Sequence, residues 1–91
     1  MKAIFDVNGV IFGVGEDEAA AIVDANKWLG VDSQINCADG LGDYRDYQKG
    51  GYGYHLFINS CSHELAALVS AKGGIVGWEE DDNFVMIPIV P

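Results

Sequence analysis

Residues 52–59 constrain the fold more than any other stretch of this chain. Tyr54, Leu56 and Ile58 alternate there with His55, Phe57 and Asn59, and nearly all are bulky. A strand with large side chains on both faces belongs in the middle of a sheet, so this run is expected to be the central strand. It leads through Ser60 and Cys61 into a segment where Leu65, Leu68 and Val69 recur at helical spacing. Just upstream, residues 38–51 are poor in hydrophobic side chains. All four tyrosines, Tyr44, Tyr47, Tyr52 and Tyr54, lie in that loop or at the start of the strand.

The other elements follow from local patterns. Residues 2–7 and 10–14 are β-rich and flank Asn8-Gly9, the pair that best tolerates the two positive φ angles of a type I′ turn, which predicts a tight hairpin. Glu16, Asp17 and Glu18 then precede an alanine-rich run, favourably placed at the positive end of a helix dipole. That helix is expected over residues 17–29, with Gly30 as its left-handed stop. Ala19, Ile22, Val23, Asn26 and Leu29 would face inward, and Asp17, Asp24 and Lys27 would face water. Residues 33–38 suggest a short strand. A second helix over 62–72 has Ser62 as N-cap, Glu64 in its first turn and Gly73-Gly74 as its stop. A last hairpin follows, with strands at 75–78 and 84–90 around an acidic turn at 79–83, and Pro88 marks its end as an edge.

Hairpin, helix, strand, strand, helix and hairpin reduce to a ferredoxin-like β-α-β-β-α-β frame with extra N- and C-terminal hairpin strands. The predicted class is α+β, one antiparallel sheet with two helices on one face. With 91 residues, 49% of them hydrophobic, residues 1–91 are expected to form one domain. No basic leader with an apolar core opens the chain and no run approaches a membrane span, so a cytoplasmic protein is expected. Two cysteines, Cys37 and Cys61, are too few for a disulfide scaffold.

Charge narrows the function. The chain carries 14 acidic and 5 basic residues, a net charge of -9. Both ends are acidic and only the tyrosine loop is near neutral. Direct binding to nucleic acid or anionic lipid needs clustered Lys and Arg and is disfavoured. A basic protein surface is the electrostatic complement.

Several motifs test for chemistry. Residues 2–12, an apolar strand followed by Asp6-Val7-Asn8-Gly9 and further apolar residues, resemble the opening motif of the haloacid-dehalogenase-like phosphatases. That resemblance implies Asp6 as the nucleophile, but Asn8 stands where the family has its acid/base aspartate, and the likeness covers about a tenth of the chain. Asp39, Asp43 and Asp46 lack the spacing of a calcium-binding EF-hand loop. His55, His63, Cys37 and Cys61 lack the spacing of a structural zinc site. Cys61 near a helix start has no activating base beside it. Neither a cofactor nor a metal is therefore expected.

What remains is an acidic surface with an aromatic loop. Tyr44, Arg45, Tyr47 and Tyr52, with Asp43 and Asp46, have the side-chain chemistry of an interface anchor. Glu16, Asp17, Glu18 and Glu79, Glu80, Asp81, Asp82 would steer association. The expected function is a non-catalytic inhibitor that covers the basic, nucleic-acid-binding surface of a partner such as a nuclease or CRISPR effector. In size and acidic runs the chain resembles small phage-encoded inhibitors of the anti-CRISPR type and the immunity proteins of nuclease toxins, without a shared motif. The alternatives are a small enzyme or ligand-binding domain with a site near Asp6 and His55 under the 39–53 loop, and a homodimeric structural module joined at an edge strand.

Overall fold

The computed structural model describes residues 1–36, 41–42, 44, 50 and 56–89. The strands and the two helices whose bounds lie within the described residues follow the order β1 (Lys2–Asp6), β2 (Ile11–Gly15), α1 (Glu18–Asn26), β3 (Leu56–Ser60), α2 (His63–Lys72), β4 (Trp78–Glu80) and β5 (Met86–Pro88). One antiparallel sheet has the order β2-β1-β3, and β4 and β5 form a separate antiparallel pair. The class is α+β.

The central strand is β1, not the run at 52–59. Residues 52–55 lie outside the described residues. The remainder, β3, pairs fully only with β1 and meets Gly42 on its other side through an isolated parallel bridge. Ala3, Ile4 and Phe5 are all fully buried, so consecutive residues of β1 fill cores on opposite faces of the sheet.

The two helices cover opposite faces, which corrects the expectation of two helices on one face and departs from the ferredoxin-like frame. Ala3 and Phe5 of β1 and Phe57 of β3 pack with Leu65, Ala66 and Val69 of α2 and with Met86 of β5. Ile4, from the other face, packs with Ala21 and Ala25 of α1, and with Leu56 and Ile58. A β-bulge makes this possible in β2. Phe5 opposes Ile11 but Ile4 opposes Gly13, leaving Phe12 as the extra residue, so Phe12 and Gly13 both serve the α1 side.

The α1 contact explains why its buried stripe differs from the expected one. A Cβ on Gly13 would lie 2.3 Å from the Ala25 nitrogen, and one on Gly15 would lie 2.4 Å from the Ala21 nitrogen. Two glycines two apart on a strand thus admit two alanines four apart on a helix, and backbone nearly meets backbone. Ala21 and Ala25 are buried while Val23 is 63% exposed. Ala19 is exposed too, and Ile22 and Leu29 are half-buried beside the stripe. Asp24 does not simply face water: its Oδ2 accepts from the Val14 N–H at 2.9 Å, covering part of the outer edge of β2.

α1 starts as read, with Asp17 as N-cap accepting from Ala20 N–H at 2.8 Å, but ends at Asn26. The Asn26 side chain pairs with both backbone groups of Ile35, and Gln34 Nε2 donates to the carbonyls of Asn26 and Leu29. These bonds satisfy carbonyls that a continuing helix would have bonded. They also hold residues 34–36 out of the expected strand; residues 31–33 form a single 3₁₀ turn, and Gly30 has an ordinary φ of -66°. α2 agrees closely with its prediction. Ser62 Oγ accepts from Leu65 N–H at 3.0 Å and Gly73, at φ 90°, ends the helix. Its inward residues are Leu65, Ala66 and Val69, with Leu68 half-buried.

The first hairpin turn is not type I′, because Asn8 keeps a negative φ and only Gly9 is positive, at 81°. Asp6 takes control of it. Its carbonyl accepts from Gly9 N–H and its Oδ1 accepts from the N–H groups of Asn8 and Val10. The second hairpin repeats this arrangement: the Asp81 carbonyl accepts from Phe84 N–H, and its Oδ1 accepts from Asn83 and Val85. Asp6-Val7-Asn8-Gly9-Val10 and Asp81-Asp82-Asn83-Phe84-Val85 are thus one turn used twice. The acidic turn is correspondingly shorter than expected, since Glu79 and Glu80 belong to β4.

Candidate functional site

Strand directions give the molecule two different ends. β2 finishes at Gly15 opposite Lys2, and β3 finishes at Ser60, also opposite Lys2. α1 and α2 both start at this Lys2 end. α1 passes Gly15 before Gly13, and α2 delivers Gly74, whose carbonyl accepts from Ile11 N–H beside the first turn. The second turn returns to the Lys2 end: Asn59 Nδ2 donates to the Phe84 carbonyl, and Met86 bridges Cys61.

Residues 16–18 and the Asp81-Asp82 part of the second acidic run therefore emerge at the same end, while Glu79 and Glu80 lie along β4. Glu16, Asp17 and Glu18 leave β2 at the Lys2 end, Glu64 lies in the first turn of α2 there, and Asp81 and Asp82 form the second turn there. The N-terminal dipoles of both helices favour these carboxylates. Among the described residues the ion pair found is Lys27 to Asp24, at 3.8 Å, and it involves neither acidic run. Not all the acids serve as surface. Asp17 caps α1 and Asp81 organises its turn, so Glu16, Glu18, Glu79 and Asp82 are the exposed carboxylates without such a duty.

The opposite, turn end is apolar. Val7 and Ile89 are partly exposed there, and Trp28 (77%), Val31 (93%) and Ile75 (85%) protrude from the ends of α1 and α2. Between the first turn and the segment leading into β4 lies an open groove of about 620 Å³, lined by Val7, Tyr44, Ile75, Trp78, Glu80 and Ile89 among others. Trp78 is fixed by donating Nε1–H to the Gly9 carbonyl at 2.9 Å. Its ring meets Phe5 edge-on at 5.0 Å and Tyr44 at 5.8 Å.

Tyr44 has a different place from the exposed anchor expected of it. Its ring is half-buried, 5.1 Å from Phe5 and 5.7 Å from Phe57, and so is part of the aromatic core as well as of the groove wall. The other loop residues assigned to the interface, Asp43, Arg45, Asp46, Tyr47 and Tyr52, lie outside the described residues, as do Cys37, Asp39 and His55. Sequence reasoning missed Trp78 and Glu80 as groove residues because it placed both in a strand and turn without knowing what they faced.

The candidate reactive groups are occupied or insulated. Asp6 Oδ1 is held by two backbone amides, and both neighbours of β1 run antiparallel, unlike the parallel core that the phosphatase resemblance implies. Burial pushes the Cys61 thiol above its ordinary pKa near 9.0, against a smaller pull downward from the N-terminal amine and Lys2, so the reactive thiolate is disfavoured. Among the described residues no group of three His, Cys, Asp or Glu is placed to hold a metal ion, and no helix is long and apolar enough to cross a membrane. No family model, curated protein or solved structure matches this chain.

Proposed function

We propose that this chain is a non-catalytic binding protein whose acidic end covers a basic, nucleic-acid-facing surface of another protein and thereby inhibits it. The observation that carries this reading is the convergence of residues 16–18 with Asp81 and Asp82, distant in sequence, at the Lys2 end without ion pairing to the described residues. Carboxylates without an ion pair among the described residues, in a chain of net charge -9, project a negative field, which speeds encounter with a positive partner and is screened by salt.

The test uses charge reversal at residues free of a capping duty. Glu16→Lys, Glu18→Lys and Asp82→Lys together should slow association with a basic nucleic-acid-binding partner, recovered from lysate and identified by mass spectrometry, by about tenfold or more at low salt. The difference should shrink as salt is raised. Equal association rates for the variant and the parent chain at low salt would refute the reading. A second reading, a ligand-binding domain, is favoured by the groove beside Trp78; it predicts saturable binding that these three substitutions leave unchanged.

A further inference from the structure

One carboxylate oxygen in the groove at the turn end has no partner. Glu80 Oε2 is shielded from solvent and accepts no hydrogen bond among the described residues. A carboxylate held out of water without a hydrogen bond or counter-charge is unfavourable, and an arriving cation removes that penalty. Trp78 and Tyr44 line the same groove, and aromatic rings of this kind attract a cation. Ile75 and Ile89 add exposed aliphatic surface beside them, and no Lys or Arg of the described residues lines the groove. The lining thus combines an uncompensated negative group, two aromatic rings and an apolar rim.

We propose that this groove docks an extended segment of a partner protein in which apolar residues alternate with Lys or Arg, one cationic side chain passing Trp78 to reach Glu80. A bare metal ion is poorly served, because Glu80 has no cluster of further ligands around it among the described residues. A basic residue with an apolar neighbour satisfies every part of the lining at once. The inference rests on the proposed function only for the positive charge of the partner; Glu79 and Glu80 line the groove, whereas residues 16–18 and Asp82 do not.

The test reads Trp78 directly. The chain has two tryptophans, so a Trp28→Phe variant, altered at an exposed site, leaves Trp78 as the sole indole. A capped hexapeptide of alternating leucine and arginine should change its emission saturably, while the leucine–glutamate counterpart and free N-acetyl-arginine amide at equal concentration should not. Glu80→Gln, nearly isosteric, should weaken peptide binding roughly tenfold, the loss expected of one desolvated charge contact. Ile75→Ser should weaken it as well, and circular dichroism establishes that both variants fold. The pair Glu16→Gln and Glu18→Gln should leave it unchanged. No emission change in the parent, or an equal loss in the Glu16/Glu18 pair, overturns the groove proposal in favour of none or of diffuse attraction. Peptide binding lost while a basic partner is still captured removes the groove alone; peptide binding kept without any such partner removes the proposed function alone.

Discussion

The two hairpins of this protein share a turn and differ in almost everything around it. In each, an aspartate holds two backbone amides with one carboxylate oxygen and closes a four-residue turn with its carbonyl, and a valine stands just before the next strand. Before the first turn stand Ile4 and Phe5, both fully buried; before the second stand Glu79 and Glu80. After the turns, Phe5 pairs with Ile11 as Glu80 pairs with Met86, and then the first hairpin bulges while the second does not. Turn chemistry is local and can be reused, whereas burial depends on what the rest of the chain brings to each face. The fourth turn residue shows the same contrast: Gly9 takes its left-handed φ without strain, and Phe84 takes φ 62° with a Cβ.

The comparison can be broken most sharply at Gly13 and its counterpart in the second hairpin, Pro88. Gly13→Ala should cost about 3 kcal/mol in denaturant unfolding, because the new methyl would meet the helix backbone of α1 rather than a movable side chain. Pro88→Ala should cost less than half as much, since it removes part of a buried ring and adds no atom to a packed contact. If the two costs are equal, the close α1 packing is not what distinguishes the hairpins.

Next in size are the turn aspartates. Asp6→Ala and Asp81→Ala each remove two amide contacts to a carboxylate, and each should cost about 2 kcal/mol. Hydrogen exchange separates their reach: loss of protection should spread through β1 and β3 for Asp6, and stay with residues 83–88 for Asp81. Spread of the Asp81 effect through β1 would show that the second hairpin is integral to the sheet's stability.

Smaller effects of opposite sign are expected at the left-handed positions. Gly9→Ala should destabilise by about 1 kcal/mol from backbone strain alone, since its Cβ would have room at 3.5 Å from Trp78 Nε1. Phe84→Gly should be more stable than Phe84→Ala by about 1 kcal/mol, the same strain released. Thermal melts of the three variants decide it, and equal stability of the two Phe84 variants would mean that the turn relaxes around an L-residue.

The smallest effect concerns the joint between the two sheets, where Cys61 bridges Met86. Folding raises the thiol pKa, so its neutral form favours the native state, and that contribution is complete below the unfolded value near 9. Above it the unfolded chain loses the proton first, and stability should fall with rising pH until the folded thiol also ionises. Cys61→Ala should remove that part of the alkaline slope in melts between pH 8 and 10; an unchanged slope assigns it to other groups.

Much of the secondary structure was legible locally. Ser62 as a cap, the carboxylates of residues 16–18 at a helix start, Gly73 as a stop and Asn8-Gly9 as a hairpin signal each act within a few residues, and each element formed where they stand. The repeated Asp-x-Asn-x-Val pattern at 6–10 and 81–85 is equally local and can be found by eye once its geometry is known. The central strand was not legible, because residues 2–6 and 56–60 are both apolar enough for the middle, and only the pairing of β1 with a full strand on each side distinguishes them among the described residues. The core role of Tyr44 was not legible for a related reason: tyrosine suits a core and an interface equally, and only its contacts with Phe5, Phe57 and Trp78 show that it serves the core as well as the groove wall.

By itself, then, the sequence determined the caps, the turns, the two helices and the excess of negative charge, since all of these depend on neighbours in the chain or on a simple sum. Tertiary structure alone decided that the helices take opposite faces, that residues 16–18 and Asp81-Asp82 share one end and that one oxygen of the half-buried Glu80 is shielded from solvent. Those outcomes depend on strand direction, on one bulged residue in β2 and on two glycines that admit a helix at backbone distance. Interactions between residues far apart in the chain have no local signature from which they could be read.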